Sequence, residues 1–410
     1  MLNRTGGGIL TGMRVVEASA FVAAPLGGAL LAGMGADVIR FDPISGGIDH
    51  DRWPVTPNGF SFYWAGLNQG KRSIALDTSS EEGREIALSL ASAPGDEGGI
   101  ALTNYPAESW FGFDTLRDRR SDIIVCIIEG HADGRPAVDY TINAATGLPL
   151  ATGPEGIVGP INSVLPVWDV VTGSLAVVAL LAADRARRIS GSGTRVQIAL
   201  ADVANAVVAH LGFVGEAAIL GRNRPRLGNH LYGAFGRDFE TKDGKRIMIV
   251  AITAGQIHRL GEALSIEVEI AALESDRGYP IESHGDLFKV RHELAAMVQD
   301  WVGSRDFDEV EMVFDSYRVL WGPYQDFVEL STGAGRWSVA ANRFSRVEHP
   351  GVGAYPIPHT PFRFTGMLDE APIRAPRLGE HTDEVLEDLL GLSPQEIGRL
   401  HGRRVVSNGH

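Results

Sequence analysis

An isolated aspartate stands at the start of a long apolar segment. The stretch LPVWDVVTG at residues 165–173 places Asp169 between Trp168 and Val170, and no further charge follows until Asp184. A carboxylate buried without partners is costly, so a specific reason is expected for this one. One such reason is chemistry, because an ionised carboxylate held in a dry pocket can act as a covalent nucleophile.

The residues around Asp169 support two interpretations. The pattern from Pro166 to Arg188 predicts one helix, and a proline suits the first turn of a helix. An aspartate in that turn faces the positive end of the helix dipole, so Asp169 can be a helix cap. Alternatively, the backbone amides of the helix start keep Asp169 ionised as a nucleophile. The local residues leave these two interpretations evenly balanced.

Four further polar residues flank predicted strands. Arg40 is predicted to end the strand in GADVIRFDP, Lys71 and Arg72 precede the strand in LNQGKRSIALD, and Asn104 ends the strand in ALTNYPAE. Ligands of α/β sheets gather at the carboxyl ends of strands, and these cations and this amide could hold phosphates there. For any one of them alone, a solvated loop residue is the better interpretation.

The elements that position these residues alternate between strand and helix. Short apolar strands and helical patterns succeed each other from MRVVEAS to DIIVCIIEG, which predicts a doubly wound α/β domain within residues 1–200. Near residue 222 the pattern changes to a hairpin with its turn at Asp243-Gly244, followed by charged helices. We therefore expect a smaller α+β domain over residues 225–325.

Composition limits the class of protein. The chain has 410 residues and a formal net charge of −14, so nucleic acid and anionic membrane are not expected partners. The one cysteine, Cys126, is predicted to be buried in a strand. The longest apolar helix candidate, Val170 to Ala183, is shorter than the roughly 20 residues of a membrane span, so a cytoplasmic enzyme is expected. Dinucleotide, P-loop and zinc-protease motifs do not occur, and no metal is expected.

Five motifs in order resemble the class III CoA-transferase family, also called the CaiB/BaiF family. They are GADVIRFDP, NQGKRSIALD, the aspartate before a long apolar helix, RPRLGN and APRLGEHTDEVLEDLLGL. The resemblance spans nearly the whole chain and implies a Rossmann-like large domain built from both chain ends, with residues 340–410 completing it. It also implies a small central domain and an interlocked homodimer, whose active site lies between the large domain of one subunit and the small domain of the other.

The resemblance assigns roles residue by residue. Asp169 matches the position of the catalytic aspartate. Asn104 matches an asparagine near the pantetheine of CoA. The positions that match contacts to the nucleotide end of CoA are Arg40, Lys71 and Arg72.

The chain departs from the family pattern at three places. Pro106 stands where an arginine is usual, and the region AITAGQ has only Gly255 where formyl- and oxalyl-transferring members carry a glycine-rich loop. Asp139 is present, but Val138 replaces the histidine of the racemases. Two-base proton exchange is therefore disfavoured, and an α-methylacyl-CoA racemase is the weaker alternative.

Longer matches, including SAFVAAPLGG and VIRFDPISGGIDHDRWPVT, imply one activity within the family. It is intramolecular CoA transfer between the C1 and C4 carboxyls of mesaconate, a C5 dicarboxylate, through mixed anhydrides and an aspartyl-CoA thioester. The CoA ester is then the substrate, and no other cofactor is expected. Intermolecular transfer to a free carboxylic acid stays open as the alternative. The candidate acyl-site residues are His230, Tyr232, Arg237 and Asp139.

Overall fold

The computed structural model describes residues 8–333, 335–366 and 370–409. Its strands are β1 (Arg14–Ala18), β2 (Asp37–Pro43), β3 (Arg72–Leu76), β4 (Ile100–Thr103), β5 (Ile124–Glu129), β6 (Thr194–Ala199), β7 (Phe235–Glu240), β8 (Arg246–Ala251), β9 (Leu320–Pro323), β10 (Phe344–His349), β11 (Gly353–Pro358) and β12 (Val406–Ser407).

The helices alternate with these strands in the first half of the chain. They are α1 (Ala23–Gly33), α2 (Phe62–Leu67), α3 (Glu81–Ser92), α4 (Phe113–Arg119), α5 (Asp139–Ala145), α6 (Leu148–Ala151), α7 (Val167–Ser190), α8 (Leu200–His210), α9 (Phe213–Leu220), α10 (Ala254–Leu264), α11 (Glu267–Arg277), α12 (His284–Lys289), α13 (Arg291–Val302), α14 (Phe307–Ser316), α15 (Phe327–Thr332), α16 (Thr382–Leu390) and α17 (Pro394–Gly402), with a 3₁₀ turn at Val339–Ala341.

One compact unit, here the large unit, is formed by both ends of the chain. It comprises the N-terminal segment through Gly147, then Asn162–Ile219, then Arg343 onward. Its seven-stranded sheet has the order β12-β3-β2-β1-β4-β5-β6. The strands β1 to β6 pair in parallel, and β12 joins β3 antiparallel. The predicted α/β class with a large parallel sheet is confirmed.

The strands β1 to β5 are buried along nearly their whole length because both of their faces are covered, whereas β6 alternates exposed and half-buried residues. In β5, the residues from Ile124 to Ile128 are all buried, and Cys126 among them has no exposed surface. Burial raises the pKa of the Cys126 thiol to about 12. The prediction of a buried, unreactive strand cysteine is confirmed.

The centre of the sheet is the point where the strand order reverses. The chain leaves β1 toward β2 and β3 on one side, and later returns to β4, β5 and β6 on the other. The turns that follow β1 and β4 therefore border a crevice at the carboxyl ends of the strands. In open α/β sheets this crevice is where ligands bind.

The long apolar helix predicted from Pro166 to Arg188 is α7, which begins one residue later and ends at Ser190. By length and composition alone α7 could cross a membrane, and α8 with α9 would pass as a bent pair. The same composition suits a core helix, and Trp168, Ala176 and Leu180 of α7 are buried within the large unit.

The second compact unit, here the central unit, comprises Leu148–Ile161 and Leu220–Asn342. Its sheet β7-β8-β9 is antiparallel, and the β7–β8 turn lies at Asp243-Gly244 as predicted, with Gly244 at φ +79°. Phenylalanines of β7 and α14 pack there with apolar residues of α10 and α13. Residues 148–161 belong to this unit, although the sequence pattern places them in the first 200-residue region.

Candidate active site

Asp169 lies in the first turn of α7 and is partly buried, as expected. Its side chain does not cap the helix, because the backbone amides of that turn donate their hydrogen bonds to other acceptors. The prediction that these amides support the Asp169 carboxylate is therefore wrong for this arrangement. Another carboxylate occupies them.

That carboxylate belongs to Asp139, the first residue of α5. Its Oδ2 accepts the backbone N–H of Trp168 at 2.6 Å and of Asp169 at 3.1 Å. One turn later, Oδ1 of Asn143 accepts the indole N–H of Trp168 at 3.1 Å. Helix α5 thus holds the start of α7 through the side chains of Asp139 and Asn143. The Asp169 carboxylate is therefore not needed to cap this helix.

Burial shifts the ionisation of both aspartates, and the charge of Asp139 adds to the shift of Asp169. Burial and, after it, the negative charge of Asp139 raise the pKa of the Asp169 carboxyl to about 6, and the positive charge of Arg52 opposes them. Burial also raises the pKa of Asp139, against the two backbone N–H donors. Asp169 is therefore mostly ionised above pH 6, yet more basic than an ordinary aspartate. A more basic carboxylate is a better nucleophile, because it holds its charge less tightly.

Glycines bring the start of α7 close to the start of α1. A Cβ on Gly173, one turn after Asp169, would lie 2.4 Å from the carbonyl oxygen of Ala23. A Cβ on Gly27 would lie 3.2 Å from the carbonyl oxygen of Gly173. The helices therefore cross with their backbones nearly in contact, and this places the first turn of α7 beside the turn that follows β1.

Asn104 directly follows β4, as predicted, and fixes that same turn. Its Oδ1 accepts the backbone N–H of Ala20 at 3.2 Å, and its Nδ2 donates to the carbonyl oxygen of Ala20 at 2.9 Å. Both ends of the amide thus bind one residue of the β1–α1 connection. Contact with pantetheine stays a prediction.

Arg40 lies in the middle of β2, so the prediction that it ends the strand is wrong. The residue has no exposed surface. Its guanidinium donates to Asp42 at 2.8 and 2.9 Å, to Asp49 at 3.0 Å, and to the carbonyl oxygen of Ser19 at 3.0 Å. Arg40 thereby ties the β1–α1 turn to the segment between β2 and α2.

Lys71 is also buried and belongs to the same network. Its Nζ lies 2.9 Å from Glu17 Oε1, 2.8 Å from the carbonyl oxygen of Pro25 and 3.0 Å from Asn68 Oδ1. Burial lowers the pKa of Lys71 to about 8, and Glu17 opposes this shift. All three donors of the ammonium are therefore used on protein groups.

Arg72 is separated from the other predicted CoA contacts. It opens β3 and pairs with Asp37, which opens β2, so both lie at the amino end of the sheet. Its other charged neighbours are Glu384, at 3.4 Å, and Asp388, at 3.7 Å. The structure therefore joins Arg40 and Lys71 in one network but does not bring Arg72 or Asn104 into it.

The residues His230 and Tyr232 lie in the central unit, just before β7, and Arg237 lies within β7. The rings of His230 and His292 are 5.1 Å apart, and Nδ1 of His230 is buried without a partner among the described residues. Burial lowers the pKa of His230, with Arg237 and then His292 adding to the effect. This positive surrounding suits an anionic group.

Sequence reasoning missed one charged residue beside Asp169, which is Arg52. It lies in the long connection between β2 and α2, where no periodicity or spacing marks it. The only sequence signal was its place inside the long family match VIRFDPISGGIDHDRWPVT.

A cavity of about 530 Å³ lies elsewhere in the large unit, beside α1. None of the predicted site residues lines it, although Gly70, which precedes Lys71, does.

Comparisons with known proteins identify the family of the chain. A sequence model of CoA-transferase family III matches residues 10–382. The chain is 49% identical to 2-methylfumaryl-CoA isomerase of Chloroflexus aurantiacus over 98% of both chains. It is 28% identical to succinyl-CoA:mesaconate CoA-transferase of Haloarcula hispanica, over 93% of this chain and 96% of that protein.

The fold has a counterpart among solved structures. A CaiB/BaiF family protein from Brucella suis superposes with a TM-score of 0.74 at 24% identity, covering 93% of this chain and 99% of that one. The order of the sequence motifs and the parallel sheet agree with these matches. The chain therefore belongs to CoA-transferase family III and is an enzyme of that family.

Proposed function

We propose that this enzyme moves CoA between the C1 and C4 carboxyls of mesaconate, converting 2-methylfumaryl-CoA to 3-methylfumaryl-CoA. The observation that carries the proposal is the 49% identity, over 98% of both chains, to a protein named 2-methylfumaryl-CoA isomerase. The partly buried carboxylate of Asp169, which is not used as a helix cap, supports the chemistry.

The reaction begins when the Asp169 carboxylate attacks the C1 thioester carbonyl. The C–S bond breaks, its electron pair leaves with sulfur, and a mixed anhydride and CoA thiolate result. The thiolate then attacks the aspartyl carbonyl, which releases mesaconate as a carboxylate and leaves an aspartyl-CoA thioester. The C4 carboxylate of the same mesaconate attacks this thioester, and the two steps run in reverse. No redox or metal step is needed for this balance.

The raised pKa of Asp169 suits its proposed role as the nucleophile. A pKa of about 6 leaves the carboxylate ionised near neutral pH and more nucleophilic than an ordinary aspartate. Asp139 contributes the second-largest cause of this shift, after burial, and it also orients the helix start. In this proposal Asp139 is a positioning residue at the acyl site, rather than the base of a racemase.

The free carboxylate of the substrate requires a cation and hydrogen-bond donors; Arg237 is proposed to supply the charge, and His230 and Tyr232 are proposed to supply donors. The side chain of Arg237 is 37% exposed, so it is accessible from solvent in the central unit. Arg237→Ala is expected to raise KM for the CoA ester by about tenfold, the cost of one charged hydrogen bond. Arg277→Ala, which removes an exposed ion pair with Glu293, is the matched control. Equal KM values for the two variants would exclude Arg237 from the acyl site.

The remaining predictions complete the proposal. The CoA ester is the substrate, no separate cofactor or metal takes part, and the working form is a cytoplasmic, interlocked homodimer. Direct contact of CoA with Arg40, Lys71, Arg72 and Asn104 remains a prediction. Their hydrogen bonds favour an indirect role for Arg40, Lys71 and Asn104, which hold the turns at the carboxyl end of the sheet.

One experiment separates the proposal from the intermolecular alternative, which the 28% identity to a succinyl-CoA:mesaconate CoA-transferase favours. Purified enzyme is incubated with mesaconyl-C1-CoA and an excess of ¹³C-labelled free mesaconate, and the thioesters are resolved by chromatography and mass spectrometry. Unlabelled C4 thioester is the expected product. A labelled product, or a rate that depends on added free acid, would establish intermolecular transfer instead. An Asp169→Ala enzyme serves as the inactive control.

A further inference from the structure

Arg52 lies between two aromatic rings near the candidate nucleophile. Its guanidinium carbon is 4.4 Å from the ring centroid of Tyr63 and 5.5 Å from that of Phe21. Cations over aromatic faces gain roughly 0.5–2 kcal/mol, and the flat guanidinium stacks well. The two rings therefore fix the plane and position of the Arg52 head group without using its hydrogen-bond donors.

The backbone around Arg52 is held at several points. Ser61 Oγ donates to the carbonyl oxygen of Arg52 at 2.6 Å, and Asp49, three residues before Arg52, is bound by the buried Arg40. On the opposite side, Phe21 has φ +67°, a left-handed conformation that aromatic residues rarely adopt. Strain of this kind persists where the surroundings enforce it, and often at functional sites. The Asn104 clamp on Ala20 is next to it.

The charge of Arg52 lacks a direct partner. Nη1 is buried and has no hydrogen bond to any described residue. Arg52 lowers the pKa of Asp169, yet no ion pair joins the two residues within the described part of the chain. A buried donor without an acceptor is costly, unless an acceptor arrives during function.

We infer that Arg52 binds the acyl oxygen that becomes negative when Asp169 attacks the substrate. The carbonyl carbon then faces the Asp169 carboxylate, and the carbonyl oxygen accepts a hydrogen bond from Nη1 of Arg52. This inference rests on the proposed function, and it names a donor on this chain for the reacting carbonyl. It also extends the acyl site to a residue in a connection that no sequence pattern marked.

The role of Arg52 follows the charge through each step. As the Asp169 oxygen bonds to the acyl carbon, the carbonyl electron pair moves to oxygen, and Arg52 stabilises that oxyanion. The pair then returns, and the C–S bond breaks with its electrons on sulfur. When the thiolate later cleaves the anhydride, the departing oxygen becomes a carboxylate, which Arg52 again pairs. A fixed donor in a partly buried site is effective because it needs no reorganisation.

Turnover of matched variants tests the inference. Arg52→Gln is expected to lower kcat by roughly 10²–10³-fold, with a smaller change in KM, since the lost interaction forms mainly in the transition state. Arg52→Lys keeps the charge and should recover part of that loss. The control is Arg117→Gln, which removes an exposed arginine paired with Asp114 on α4. Arg52→Gln activity within twofold of the control would overturn the inference.

A second measurement does not depend on the identity of the substrate. The rate at which a water-soluble carbodiimide modifies Asp169 is followed against pH by peptide mass spectrometry, in all three variants and the wild type. The charged groups that face Asp169 are Asp139 of α5 and Arg52. Removal of the cation should move the Asp169 midpoint to higher pH in Arg52→Gln alone. An unchanged midpoint would overturn the inference, even with active enzyme. If the midpoint shifts in Arg52→Gln but the wild-type enzyme does not turn over mesaconyl-CoA, the placement of Arg52 is supported and the proposed substrate is rejected.

Discussion

The large unit contains two groups of buried charge that differ in how completely they are paired. The closed cluster is Glu17, Arg40, Asp42, Asp49 and Lys71. The open cluster is Asp139, Asp169 and Arg52. In the closed cluster the cations direct their donors to carboxylates, to Asn68 and to backbone carbonyls. In the open cluster, Oδ1 of Asp139 and Nη1 of Arg52 are buried without a hydrogen bond to any described residue. The corresponding atom of the closed cluster, Oε2 of Glu17, still lies 2.8 Å from the Lys71 ammonium.

The difference in pairing distinguishes charges that stabilise the fold from charges that can act on a substrate. A charge whose bonds are all made within the chain stabilises its own surroundings, and its removal leaves the partners unpaired. A charge held in place by packing, with its donors or acceptors unused, is available to a substrate. The two clusters are connected, because Arg40 of the closed cluster binds Asp49 on the segment that carries Arg52. The closed cluster therefore positions part of the open one.

Removal of the nucleophile should give the largest effect. Asp169→Asn keeps the shape of the side chain but cannot form the anhydride, so kcat is expected to fall by about 10⁴-fold or more. Turnover of mesaconyl-C1-CoA and intact-protein mass, which would detect an aspartyl-CoA adduct in the wild type, are the measurements. Circular dichroism should show an unchanged fold. An Asn variant with more than a tenth of wild-type activity would place the nucleophile elsewhere.

Damage to the closed cluster should appear as lost stability. Arg40→Met leaves Asp42 and Asp49 buried without their cation, and is expected to lower the free energy of unfolding by about 3–5 kcal/mol. Urea denaturation measures this, and Arg117→Met, which breaks an exposed pair, should cost less than about 1 kcal/mol.

The same variant tests the earlier assignment of Arg40 to CoA. If the free energy of unfolding stayed within 1 kcal/mol of wild type while KM for the CoA ester rose strongly, Arg40 would be a ligand contact. The pairing of Arg40 within the closed cluster would then not be its main role. If stability fell and KM stayed the same in the surviving folded enzyme, a supporting role would be established. A fall in kcat alone would point to disturbed placement of Arg52.

The open cluster should respond in pH dependence rather than stability. Asp139→Asn removes the negative charge that raises the pKa of Asp169, so that pKa should fall. The acid limb of kcat/KM, which follows ionisation of the nucleophile, should then move to lower pH. Arg52→Gln should move it in the opposite direction. Asp114→Asn, on exposed α4, is the control and should move nothing. Parallel shifts in both open-cluster variants would disprove the electrostatic account.

How much of the fold and of the candidate site could be predicted from the sequence depends on how far apart along the chain the interacting residues lie. The alternation of strands and helices, the long helix α7, the hairpin turn and the position of Asn104 after a strand follow from local patterns, and all appear in the structure. The importance of Asp169 as an unusual carboxylate was also visible, because a charge inside an apolar run is a local feature.

The partners of each charge could not be predicted, because they come from distant parts of the chain. The cap of α7 is Asp139, thirty residues before Asp169, and the sequence marks it as the remnant of a racemase pair and an acyl-site candidate but not as a cap. Likewise, the sequence around Arg40 and Lys71 is compatible with solvated loop residues or with ligand contacts, and it does not predict buried ion pairs. Their burial against Glu17, Asp42 and Asp49 depends on how β1, β2 and α1 pack. The left-handed Phe21 has no sequence signature.

The smallest expected effect concerns the stability of the fold against pH. The pKa of Asp169 is raised to about 6 in the folded chain from 3.8 in the unfolded one, so the folded state binds the proton more tightly. The free energy of unfolding therefore falls as pH rises from about 4 through 6, and the ionised Asp169 destabilises the fold above that range. Asp169→Asn should relieve this cost, on the order of 1 kcal/mol after allowance for solvent screening. Urea denaturation at pH 7.5 should show the gain, and at pH 4 the two proteins should be equal. A gain in the free energy of unfolding that is equal at both pH values would be due to packing. The charge of Asp169 would then not be the cause of the lower stability.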